Sequence, residues 1–134
     1  MSKFAELATE LRDEVHIVSA LKQMGYAVEQ HEIAARLNGY SRDDHKLANV
    51  IVRQRQADPL RVLTFGDVGF LKESSGNYKV IIDDYHPENV SRFVGQVKQE
   101  YQAARQIATA KVKGYLLRSR EMVGTKLQLR FAVK

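Results

Sequence analysis

Between Asn77 and Leu117 the spacing of apolar residues changes from two to three-or-four and back again, so a long helix set between two strands must organise whatever fold the chain adopts. Tyr78, Val80 and Ile82 alternate with Lys79, Ile81 and Asp83, which gives a strand with one apolar face. Val90, Phe93, Val94, Val97, Tyr101, Ala104 and Ala108 then recur at helical steps, opposite Arg92, Gln96, Lys98, Gln99, Gln102 and Arg105. Pro87 suits the first helical turn, where no N–H is needed. Glu88 complements the positive end of the helix dipole, and Lys111 and Lys113 complement the negative end. Gly114 supplies the stop.

A shorter echo lies at the N-terminus. Lys3 to Leu11 reads as a strand, Asp13 as an N-cap, and Val15, Ile17, Val18, Leu21 and Met24 as the apolar stripe of a helix that ends at Gly25. A strand restarts at Tyr26, and residues 31–37 either extend it or add a helical turn before the Asn38-Gly39 turn. Lys22 to Tyr26 and Lys111 to Tyr115 share the order helix end, glycine, tyrosine, which suggests two similar halves, about 1–55 and 67–134. Leu47 to Arg55 is a further strand. Pro59 separates it from Leu60 to Thr64, which is either a strand or an irregular excursion. Asp67–Lys72 and Tyr78–Asp83 flank a hairpin turn at Ser74–Asn77, and Tyr115–Met122 and Lys126–Val133 flank another at Gly124-Thr125. The expected fold is α+β and ferredoxin-like (split βαβ), an antiparallel sheet with two helices packed on one face, in a single domain spanning 1–134.

Composition narrows the function classes. With 44% hydrophobic and 28% charged residues the chain is expected to be globular. No apolar run approaches the roughly 18 residues of a membrane span and no signal core follows Met1, so a cytoplasmic location is expected. The absence of cysteine removes disulfides, thiolate metal sites and thiol nucleophiles. The net charge of +5 is uneven: residues 1–85 hold 11 Lys+Arg against 13 Asp+Glu, and residues 86–134 hold 10 against 3. A basic C-terminal half points to nucleic acid, to an acidic protein, or simply to a solvated face.

Two clusters contain metal-ligating residue types, Asp43-Asp44-His45 and Asp83-Asp84-Tyr85-His86. Asp43, His45, Asp83 and His86 are the weak metal candidates; helix-start chemistry accounts for the second cluster without an ion, and no cofactor is expected. Phosphate-loop, dinucleotide, nucleophile-elbow and His-Glu-x-x-His motifs are all missing, and no catalytic residue is assigned. Arg118, Arg120, Lys126 and Arg130, with Lys134 nearby, form a candidate patch for phosphate or an acidic protein surface, or alternatively a charged edge that deters unwanted pairing.

The order of short motifs resembles a family of uncharacterised proteins named after hypothetical chloroplast reading frame thirty-five, found in cyanobacteria, plastids and other bacteria. The motifs are Met1 to Phe4, Leu21 to Tyr26, Gly39-Tyr40, Ala48 to Arg53, Asp67 to Phe70, Tyr78 to Asp84 and Gln99 to Ala103. The chain departs from the family at Gln99-Glu100-Tyr101-Gln102, where Gln-Arg-Tyr-Ala is usual, and in a longer link over residues 56–66. The resemblance implies a small α+β domain and no catalytic residues. Residues and resemblance together lead to the expectation of a non-enzymatic domain that binds a protein partner in an assembly or regulatory role. The alternative is a nucleic-acid-binding domain using the basic C-terminal hairpin; a homodimer paired through a sheet edge is a further expectation.

Overall fold

The computed structural model describes residues 4–39, 45–54, 66–83 and 87–133. In chain order the elements are β1 (Phe4–Ala8), α1 (Glu14–Gln23), β2 (Glu29–Arg36), β3 (Leu47–Val52), β4 (Val68–Lys72), β5 (Tyr78–Asp83), α2 (Pro87–Val112), β6 (Tyr115–Val123) and β7 (Lys126–Val133). The first five strands form one sheet in the order β1-β5-β4-β3-β2, every neighbouring pair antiparallel. Strands β2 to β5 are a simple meander. Strand β1 joins it beside β5, so the segment containing α1 carries the chain across the full width of the sheet.

Alternation along the strands divides the core in two. Val50, Val52, Val68, Phe70, Tyr78, Val80 and Ile82 meet Ile17, Val18, Ala20 and Leu21 of α1 and Val90, Phe93, Val97 and Tyr101 of α2. Both helices therefore cover the same face. The opposite face carries a smaller cluster, Leu37, Ala48, Ile51 and Ile81, with Phe4, Ala35 and Leu71 packed against it. Gly69 lies beneath that cluster: a Cβ there would fall 2.5 Å from the Ala48 Cβ and 2.9 Å from Leu37 Cδ1, so only a missing side chain lets these groups close over the sheet.

The crossing at α1 is fixed by polar contacts rather than by its cap residue. Asp13 occupies the N-cap position without a side-chain cap bond. The Tyr101 hydroxyl, reaching over from α2, accepts instead from the backbone N–H groups of Arg12 (3.3 Å) and Asp13 (3.1 Å). Thr9 Oγ1 donates to the Tyr78 carbonyl and accepts from the Leu11 N–H, tying the end of β1 to the start of β5.

The α+β class, two helices and an antiparallel sheet stand as expected, but the split βαβ order does not match the observed one. No described strand pair is parallel, and β6 and β7 pair only with each other. The last helix also outruns the sheet strands in length. At 26 residues, α2 is roughly 39 Å long, whereas the sheet strands of five to eight residues reach about 17–27 Å. Its buried residues end at Ala103, so the last two and a half turns carry no buried side chain before the chain enters β6. Gly25 (φ +96°) and Gly114 (φ +89°) do close their helices alike, so the echo is one of cap chemistry and not of fold. The segment Leu60 to Thr64 lies outside the described residues.

Candidate interaction surface

The C-terminal hairpin packs along the second half of α2. Gln99 Nε2 donates to the Thr125 carbonyl in its turn (3.0 Å). Leu127, Leu129 and Phe131 face the helix, each partly buried, as their strict alternation predicts. No residue of either hairpin strand reaches full burial. Large apolar side chains are instead left open: Leu116 is 42% exposed, Met122 54%, Val123 48% and Val133 80%.

The four basic candidates do not act as one patch. A register shift between Leu117 and Ser119 inserts Arg118 as an extra residue in β6, and the alternation slips by one beyond it. Arg120 falls opposite Leu129, on the helix-facing side, where its guanidinium grips both carboxylate oxygens of Glu100 on α2. Arg130 falls opposite Ser119 and Lys126 opposite Val123, on the other side. Arg118, Lys126 and Arg130 are exposed, and no ion pair holds them among the described residues. Arg120 is thus a structural clamp between hairpin and helix, while the other three are exposed.

Between the clamp and the helix end lies a cleft of about 580 Å³ lined by Gln102, Arg105, Gln106, Thr109, Ala110, Lys113, Tyr115 and Phe131. Sequence periodicity alone missed it. Its only sequence signal was the stretch from Arg105 to Lys113, where the apolar stripe thins to alanines on a helix that goes on regardless.

Of the four metal candidates, two fall among the described residues. Asp43 and His86 lie outside the described residues. His45 is exposed, Asp83 is buried at the end of β5 opposite Phe4, and no group of three or more metal-ligating side chains occurs among the described residues.

A second polar constellation, whose members the sequence placed in separate motifs, is centred on Asp67. Its carboxylate accepts from Arg53 Nη1 (2.7 Å) and from the backbone N–H groups of Asn38 (2.8 Å) and Gln54 (3.0 Å). Arg53 also grips Glu29 through Nε (3.0 Å) and Nη2 (3.2 Å) and donates to the Arg36 carbonyl (2.9 Å). The Arg53 guanidinium, helped by His31, holds the Glu29 carboxyl below its ordinary range, and the carboxylates raise Arg53 in turn. These bonds tie the ends of β2, β3 and β4 together. Tyr78, whose hydroxyl donates to Glu14 (3.0 Å), is pushed up to about 12 by burial and by that carboxylate, which keeps it neutral. It too is a structural hydrogen-bond donor.

The family described as "Protein of unknown function (DUF1257)" matches residues 20–126. The chain belongs to this family. The matched span runs from the buried end of α1 to the first residue of β7, and so contains the Arg53–Asp67 lock, Gly69 and all of α2. No curated protein and no solved structure matches the chain. No helix among the described residues of this DUF1257 protein is long and apolar enough to cross a membrane.

Proposed function

We propose that the chain is a non-enzymatic, cytoplasmic protein-binding domain, an assembly or regulatory partner whose contact surface is the β6–β7 hairpin with the adjoining end of α2. We also infer that within DUF1257 it groups with the hypothetical chloroplast reading frame thirty-five proteins, whose short motifs it shares. The observation that carries the binding reading is the hairpin itself, in which no residue is buried while Leu116, Met122, Val123 and Val133 stand open. A two-stranded hairpin is marginal on its own in water and gains stability by packing against something else. Leu116, opposite Ala132, and Val123, opposite Lys126, share the outer face of the hairpin with Lys126 and Arg130, a mixture of apolar and charged groups that matches the composition of protein contacts.

Affinity purification from native extract at low salt tests the reading. The wild-type chain is expected to recover a stoichiometric partner, and the double variant Leu116→Glu/Val123→Glu to lose it while melting like the wild type. Failure to recover any partner, or equal recovery by the variant, argues against it. The second reading, nucleic acid held by Arg118, Lys126 and Arg130, has their unpaired charge in its favour. It requires binding to random RNA or DNA that weakens steeply as salt rises.

A further inference from the structure

The cleft at the base of the hairpin narrows the chemistry of the partner, on the premise that the surface proposed above is a protein contact. From Lys98 to Val133 the chain holds eight Lys or Arg and two acids, Glu100 and Glu121, and Glu100 is committed to Arg120. Arg105 and Lys113 line the cleft itself, and none of its described lining residues is acidic. Lys111 and Lys113 more than offset the partial negative charge of the α2 carbonyl end, so the helix terminus does not repel an anion. The floor is apolar: Tyr115 and Phe131 come from the hairpin, and the short Ala110 side chain of α2 leaves room between them, with Arg105 and Lys113 at the rim. A volume of about 580 Å³ is that of a site for one anchored side chain and its neighbours.

We propose that this cleft receives an acidic segment of a partner protein, with one large apolar side chain over Ala110 between Tyr115 and Phe131 and flanking carboxylates on Arg105 and Lys113. Charge alone would suit a nucleic acid equally well. The apolar groups on the cleft's side of the hairpin, Tyr115, Phe131 and the 80% exposed Val133 paired with Tyr115, would not, since nucleic-acid contacts are more polar and are made largely to phosphates. A second copy of this chain is a poor occupant because several carboxylates of its acidic half are already engaged. Glu6 pairs with Lys79 and Lys46, Glu14 with Tyr78 and Gln30, and Glu29 and Asp67 with Arg53.

The test is selection of a random peptide library on the immobilised full chain, followed by fluorescence anisotropy of labelled winners. Selected peptides are expected to be net negative with at least one Leu, Phe or Trp. They should bind at least tenfold more weakly to Arg105→Glu/Lys113→Glu and to Ala110→Trp, and be unaffected by Lys72→Glu on the exposed part of β4. Recovery of no binders, of binders without acidic bias, or of binders indifferent to both cleft variants overturns the proposal. So does tighter binding of a uridine 20-mer lost in the same variants, or self-association that Ala110→Trp abolishes. If the native partner is lost with Leu116→Glu/Val123→Glu but kept by both cleft variants, the hairpin contact stands and the cleft assignment alone fails.

Discussion

Replacing Asp67 by Asn changes one atom and removes one charge, and the structure fixes what that must cost. The Asp67 side chain is 6% exposed, so water cannot repair what the substitution breaks. One carboxylate oxygen serves both the Asn38 N–H and Arg53, and the other serves the Gln54 N–H. An asparagine has a single acceptor oxygen; wherever it points, its NH₂ faces a backbone donor and leaves that donor unpaired, at about 1–3 kcal/mol. Loss of the charge-assisted bond to Arg53 adds about 1–2 kcal/mol. The expected loss is thus about 3 kcal/mol. With roughly 2.1 cal/mol/K per residue of unfolding entropy over 134 residues, that corresponds to a fall in Tm of about 10 °C. Urea melts followed by far-UV circular dichroism should show a lower midpoint and an unchanged slope. The double variant Asp67→Asn/Arg53→Met should lose less than the sum of the singles, because each single leaves its former partner exposed to a mismatch that the double removes. A loss below about 0.5 kcal/mol, or strict additivity in the cycle, would refute the view of Asp67 as the lock of this sheet.

Other expectations rest on neighbouring contacts. The carboxyls of Glu29 and Glu6 are held below their ordinary value of 4.5, the first chiefly by Arg53 and the second chiefly by Lys79. Their stabilisation is therefore complete above pH 4.5 and lost as pH falls through the lowered folded values; urea midpoints should drop below pH 4.5, and less steeply in Glu29→Gln. Tyr101→Phe strands the N–H groups of Arg12 and Asp13 at the start of α1 and should cost about 1 kcal/mol by the same melts. Gly69→Ala drives a methyl group into Ala48 and Leu37 and should cost about 1–3 kcal/mol, whereas Gly95→Ala, with open space around it in α2, should stabilise slightly.

Local structure was legible wherever one periodicity dominated. The stripe from Val90 to Tyr101 gave α2, and Leu127, Leu129 and Phe131 gave β7, because both patterns have an unambiguous buried side. Topology was less legible. The matching glycine and tyrosine at Gly25-Tyr26 and Gly114-Tyr115 reflect a shared way of ending a helix, and helix-cap chemistry carries no information about which strand pairs with which. The separate pairing of β6 with β7 likewise had no signal in the two strand patterns, which would suit a place in the main sheet equally well. The surface was half legible. Arg118, Arg120, Lys126 and Arg130 were identifiable as basic, but the bulge at Arg118 reverses the side on which Arg120 points, and no periodicity in Tyr115 to Val123 announces it. Arg53 and Asp67 stood at the end and the start of two family motifs, but nothing in the sequence paired these residues, 14 positions apart, which folding brings to 2.7 Å.

Hydrogen–deuterium exchange on the chain alone and in complex with its natural partner tests the central claim most directly. Free, the amides of β6 and β7 should exchange faster than those of β3, β4 and β5, whose residues are almost all buried or half-buried. In the complex, protection should rise across Tyr115–Val123, Lys126–Val133 and the last turns of α2. Protection confined instead to the sheet edges β1 and β2, with the hairpin exchanging as before, would contradict the assignment of the C-terminal hairpin as the contact surface.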